Sequence, residues 1–136
     1  MSAVDLALSR LQTEEGFRAT KYTDTQGHLS IGYGFNIDAG ISPFAAAALL
    51  AAQAQERHNQ LLGFAWYAQL DPPRQSVCLD ISFNNGVHGL LNFPHMIAAL
   101  SRQDWASAAT ECRVTNPELA GRYEKLAQIL LTGIAQ

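Results

Sequence analysis

The stretch Glu15-Gly16-Phe17-Arg18-Ala19-Thr20-Lys21-Tyr22-Thr23-Asp24-Thr25-Gln26-Gly27-His28-Leu29-Ser30-Ile31-Gly32-Tyr33-Gly34 is where the chain changes character. Before it, Ser2 followed three residues later by Asp5 resembles a capping box that opens a helix. Val4, Ala7, Leu8 and Leu11 give that helix one apolar face, and Gly16 ends it. Within the stretch, Lys21-Tyr22-Thr23 and His28-Leu29-Ser30-Ile31 lean towards β structure on either side of Asp24-Thr25-Gln26-Gly27. Asp at the first and Gly at the fourth position suit a type I turn, so a hairpin is expected. Gly32 and Gly34 then punctuate an irregular stretch through Gly40.

Beyond it the sequence reads as helix almost to the end. Ser42-Pro43 is an N-cap followed by Pro at the first helical position, and an alanine-rich run continues to about Leu62, with Gly63 as the stop. Asp71-Pro72 repeats the start signal. The helix it opens carries Val77, Cys78, Leu79, Ile81 and Phe83, is apolar on nearly all sides, and should be the buried central one, ending at Asn85-Gly86. Further helices are expected over Pro94–Ser101, Asp104–Cys112 and Pro117–Thr132. The class implied is α+β, mostly α, in one domain over 1–136. It would have a helix-plus-hairpin lobe over about 12–41, a helical lobe over about 42–136, and a cleft between them as the usual place for a ligand.

Composition excludes several function classes. The chain has 136 residues, 48% hydrophobic and 15% charged, enough for a core without disulfide or metal. Its net charge is −3, and its basic residues are spread singly, so no basic stripe marks a nucleic-acid partner. The run Phe44–Ala54 is too short to span a bilayer, so no stable membrane insertion is expected. The first ten residues carry Asp5 and no apolar core, unlike a signal peptide. Cys78 and Cys112 both fall in helical segments, where free cysteines behave as small core hydrophobes. His28, His58, His88 and His95 show no metal-binding spacing, and Gly32-x-Gly34 lacks the rest of a dinucleotide motif. Neither a metal nor a cofactor is expected.

What remains is a pair of carboxylates and a hydroxyl. A carboxylate at the C-terminus of the first helix, Glu15, sits beside the negative end of the helix dipole, the setting for a proton donor. Asp24, at the first corner of the hairpin, should be hydrated and ionised. Ser30, on the returning strand, could hold a water near it. One acid, one base and one held water are the parts of an inverting glycoside hydrolase. The same residues also fit a solvated Glu, a turn-capping Asp and a strand Ser, and residue chemistry alone leaves both readings open.

The run Glu15-Gly16, Tyr22-x-Asp24, Gly27-x-x-Ser30-Ile31-Gly32-x-Gly34 resembles the signature of the phage-type (T-even phage) lysozymes, which are muramidases among the glycoside hydrolases, and every spacing is preserved. The resemblance implies a lysozyme-like fold that cleaves the β-1,4 bond between N-acetylmuramic acid and N-acetylglucosamine in peptidoglycan. Glu15 would take the place of the general acid, Asp24 that of the second carboxylate, and Ser30 that of the water-positioning Thr. Gly34, Phe35, Phe83, Asn84, Phe93 and Arg122 fall where relatives contact the glycan or flank the acid. Asp80 suits either a hydrogen-bonded structural charge or a place in the cleft, and Asn84 and Arg122 also suit plain structural roles, a helix-end amide and a surface arginine. Three features depart from the family pattern. Ser30 stands for Thr, Phe35 for a common His, and the segment between Cys112 and Pro117 is short. The resemblance further implies synthesis in a bacterial host cytoplasm without a signal peptide. Action on the wall would follow release by a holin-type protein or carriage with phage tail proteins. A lytic transglycosylase acting on the same bond and a catalytically silent wall-binding or virion-structural module are the alternatives.

Overall fold

The structure, a computed structural model, describes residues 1–114 and 120–135. Its elements run α1 (Ala3–Glu15), β1 (Arg18–Thr23), β2 (Leu29–Gly32), β3 (Phe35–Asn36), α2 (Pro43–Leu61), α3 (Ala65–Ala68), α4 (Pro72–Leu91), α5 (Pro94–Ser101), α6 (Trp105–Arg113) and α7 (Ala120–Thr132). The class is α+β and mostly α, as the sequence implies. The chain divides into two compact units, Met1–Ala48 and Leu49–Gln136, and the division falls inside α2.

In the first unit, the Ser2 hydroxyl accepts from the Asp5 N–H at 3.1 Å, and the Asp5 carboxylate accepts from the Ser2 N–H at 3.0 Å. This reciprocal box fixes the start of α1. Gly16 ends it with φ 68°, its N–H bonded to the Gln12 carbonyl. No residue of α1 is buried: Val4 is 66% exposed, and Leu8 and Leu11 are each 50% exposed. The expected hairpin is present as β1 and β2, paired antiparallel with Tyr22 opposite Ser30 and Thr23 opposite Leu29. The ladder is irregular between Arg18 and Tyr22, where a bulge shifts the register. A third strand, β3, occupies part of what the sequence presents as an irregular stretch, pairing Ser30 with Asn36 and Ile31 with Phe35. Two residues are too few for a period-2 signal, and the Ile37 N–H continues the pairing to the Leu29 carbonyl at 2.7 Å. Asp38 accepts the Leu29 N–H at 3.0 Å, and Asn36 accepts the Ala39 N–H at 3.2 Å.

In the second unit the helices share one core. Leu61, Tyr67, Val77, Cys78, Ile81, Leu90, Met96, Leu100, Cys112, Tyr123 and Leu130 are each at most 1% exposed. Each large apolar side chain so placed contributes about 1.5–3 kcal/mol relative to exposure. Cys78 and Cys112 are free and buried, and burial pushes both thiols up to about 12, so they act as core hydrophobes. The expected stop at Asn85-Gly86 is a break, not an end. Gly86 adopts φ 73° and ψ 169°, and helix resumes to Leu91, because Leu90 has a fully buried place in the core. The sequence also leaves out α3, a single turn around the buried Tyr67. The described part of the last helix begins at Ala120; its expected start at Pro117 lies outside the described residues.

Arg74 ties the ends of two helices together. Its Nη1 donates to Asp71 at 2.5 Å, its Nε to the Leu130 carbonyl at 2.8 Å and its Nη2 to the Leu131 carbonyl at 3.3 Å. The guanidinium also lies 3.8 Å from the centre of the Trp105 ring. A cation thus satisfies the free carbonyls at the negative end of α7. Gly133 makes the approach possible, since a Cβ there would fall 2.7 Å from Nη1. Arg74→Ala strands these partners and should lower unfolding stability by about 2–4 kcal/mol, measured by urea denaturation. A loss below the usual surface range of about 0.5 kcal/mol would contradict that role.

Candidate functional site

Glu15 is the last residue of α1, and its carboxylate rests against the Gly32–Gly34 turn. A Cβ placed on Gly34 would lie 2.8 Å from Glu15 Oε2, so the missing side chain of Gly34 is the space the acid occupies. Gly34 has φ 75°, which a side-chain-bearing residue adopts at a cost. Among the described residues no hydrogen bond or ion pair reaches the Glu15 carboxylate. Phe35 is 65% exposed, and its ring covers the Cα of Gly32, where a Cβ would come within 3.0 Å of it.

Asp24 is treated differently. Its Oδ1 accepts the Gln26 N–H at 2.9 Å and the His28 N–H at 2.8 Å, and its own N–H reaches the His28 carbonyl at 2.8 Å. The His28 amide foremost, then the Gln26 amide and the His28 ring, hold its carboxyl below the ordinary range, against the opposing effect of desolvation. The His28 Nδ1 lies 3.7 Å from Oδ2. The Asp24 N–H bond to His28 continues the β1–β2 ladder one step beyond Thr23, and Tyr22 faces Ser30 across it. Side chains alternate with period 2 along a strand, so Asp24, Tyr22 and Ser30 belong to the same face of the hairpin. Ser30 is 2% exposed, the buried residue of the first unit among those described, and no protein group bonds its hydroxyl there.

A depressed carboxyl gives the hairpin a defined pH response. Its contribution to stability is fully present above the unfolded-state value near 3.9 and is lost as pH falls through the lower folded value. Exchange protection of the Gln26 and His28 amides should therefore hold down to the ordinary Asp range and fall below it. In Asp24→Asn the acid-induced step should vanish; an unchanged step would assign it to another group.

A second set of expected residues lies in the Leu49–Gln136 unit. Arg122 donates to Asp80 in a short ion pair and to Asn84 Oδ1 at 3.2 Å, which fixes all three side chains to one another. Asp80 is thereby a paired charge on α4. Phe83 is 46% exposed, with the Arg57 guanidinium 5.0 Å from its ring centre. Phe93 is partly buried and packs on the core. Its neighbours Asn92, Pro94, His95 and Met96, with Glu111 and Val114, line a small cavity of about 180 Å³. Sequence reading overlooks Arg57, which sits among the alanines of α2 without any motif, and Asp38, whose role depends on a loop fold. Among the described residues no cluster of His, Cys, Asp and Glu could hold a metal ion, and no helix is long and apolar enough to cross a membrane.

The geometry sets an acid carrier at a helix end beside a glycine turn and a pinned carboxylate on an adjoining hairpin, in the order in which the sequence signature runs. Compared with families of known proteins, the chain matches the sequence profile described as phage lysozyme over residues 12–128. The chain belongs to the phage lysozyme family. That match covers most of the chain, from the last turn of α1 into α7, and so includes Glu15, Asp24, Ser30 and Arg122. Comparison with curated proteins finds no match. Membership supports peptidoglycan lysis of the muramidase type as the general function of this phage lysozyme family chain.

Proposed function

We propose that the chain hydrolyses the β-1,4 bond between N-acetylmuramic acid and N-acetylglucosamine of peptidoglycan by an inverting mechanism. The observation that carries this is the contrast between the two carboxylates. Asp24 is held as the anion by two backbone donors, whereas Glu15 accepts no bond among the described residues and rests on a glycine turn. Glu15 is then the group free to protonate the glycosidic oxygen. Asp24, with the unbonded Ser30 hydroxyl on the same face, orients a water for attack on the opposite side of the sugar ring. Inversion calls for a Glu15–Asp24 carboxyl separation of roughly 6.5–9.5 Å, with room for that water. Gly34 holds the acid in place, and Phe35, Phe83, Asn84, Phe93 and Arg122 bind the glycan. Function either in lysis after release by a holin-type protein or with phage tail proteins fits this reading.

The test is the mass of the products from purified peptidoglycan. Hydrolysis adds one water and leaves reducing N-acetylmuramic ends. A transglycosylase would leave internal anhydro ends, and intact peptidoglycan would mean a silent binding module.

A further inference from the structure

Among the described residues the Arg57 guanidinium on α2 has no counter-charge. Its Nη1 is buried without a hydrogen-bond partner, and among the described residues no carboxylate or carbonyl bonds any of its nitrogens. The same group stacks on Phe83 at 5.0 Å, while Phe83 keeps 46% of its surface exposed. Asp80, the carboxylate one helical turn before Phe83, is already neutralised by Arg122, which also holds Asn84. Among the described residues, then, the Arg122 charge is balanced and that of Arg57 is not. A buried N–H without a partner is normally costly and rarely retained. An arginine pre-set on an aromatic face presents its remaining donors in a fixed fork suited to a carboxylate.

The geometry points to Arg57 and Phe83 as a binding site for a carboxylate of the wall polymer borne on a sugar or peptide body. The body would cover the exposed ring, and the anion would pair with the guanidinium stacked on it. This rests on the peptidoglycan reading above. It assigns Arg57 to recognition of the acidic part of the substrate and to no step of bond cleavage. Peptidoglycan offers this chemistry in the carboxylates of the peptide stem and, only where the stem is absent, in the lactyl group of muramic acid.

The experiment titrates the full chain with a soluble disaccharide-peptide, with the same ligand amidated at its carboxyl groups, and with peptide-free glycan fragments, all by calorimetry. Arg57→Met should weaken the disaccharide-peptide about tenfold, the order expected for loss of one charge-assisted pair, and should leave the amidated ligand unaffected. Equal weakening of the peptide-free fragment would show that the site also takes the lactyl carboxylate, free only where the stem is absent, and none would confine it to the stem. Thermal stability of Arg57→Met should match or exceed wild type, since the variant removes an unpartnered buried N–H. A lowered unfolding midpoint would give Arg57 a structural role and overturn the inference. So would equal binding by wild type and variant, equal weakening of the amidated ligand, or no binding of any fragment by wild type. Muropeptide release by the wild type is measured alongside: its absence would count against the hydrolase reading, and release with Arg57-independent binding would count against this inference alone.

Discussion

Glu15→Gln lowers the rate of muropeptide release from purified peptidoglycan by about 10²–10⁴-fold, the usual contribution of a positioned general acid. Gln keeps the shape and reach of the side chain but has no acidic proton to give the leaving oxygen. The folded state should hardly notice the exchange. Glu15 is exposed and bonds nothing among the described residues, so the change in stability should stay within about 0.5 kcal/mol. Loss of rate with an unchanged unfolding midpoint therefore isolates chemistry from folding. Activity that survives the exchange would remove Glu15 from the reaction.

Gly34→Ala is expected to have the next largest effect, by a different route. The new Cβ would lie 2.8 Å from Glu15 Oε2, closer than nonbonded atoms tolerate, and the flexible carboxylate is what yields. Misplacing a catalytic group by about 1 Å can cost on the order of 10² in rate. The positive φ of 75° adds about 1–2 kcal/mol of backbone strain. Gly40→Ala separates the two effects, since Gly40 has φ 80° and nothing within 4 Å of the added atom. It should lose similar stability and keep its activity. Equal loss of activity in both variants would trace the effect to strain and not to the acid's position.

Much of this was legible in the sequence because the signals were local. The Ser2/Asp5 box, the Asp71-Pro72 start and the Asp24-to-Gly27 turn each state their geometry within four residues, and each forms the element expected. Residue chemistry alone read Gly34 as punctuation and the family resemblance set it beside the glycan or the acid, but its contact with Glu15 joins positions nineteen residues apart through the fold. Gly86 shows the limit of a stop signal: a glycine permits a break, but whether helix resumes depends on a distant core place for Leu90. β3 was missed because two residues carry no apolar pattern, and the loop bonds of Asp38 and Asn36 beside it have no sequence motif. Arg57 was missed for the same kind of reason, since its stacking partner Phe83 lies on another helix. The pairing of Asp80, Asn84 and Arg122 joins three readings the sequence left open, and only three-dimensional placement could connect them.

The central claim is that water held by Asp24 and Ser30 attacks the face of the sugar opposite Glu15. The anomer first released answers this most directly, observed by proton NMR during rapid cleavage of soluble peptidoglycan fragments. Inversion predicts that the new N-acetylmuramic reducing end appears first as the α-anomer and then equilibrates. First appearance of the β-anomer would contradict the account and make Asp24 or another group a nucleophile.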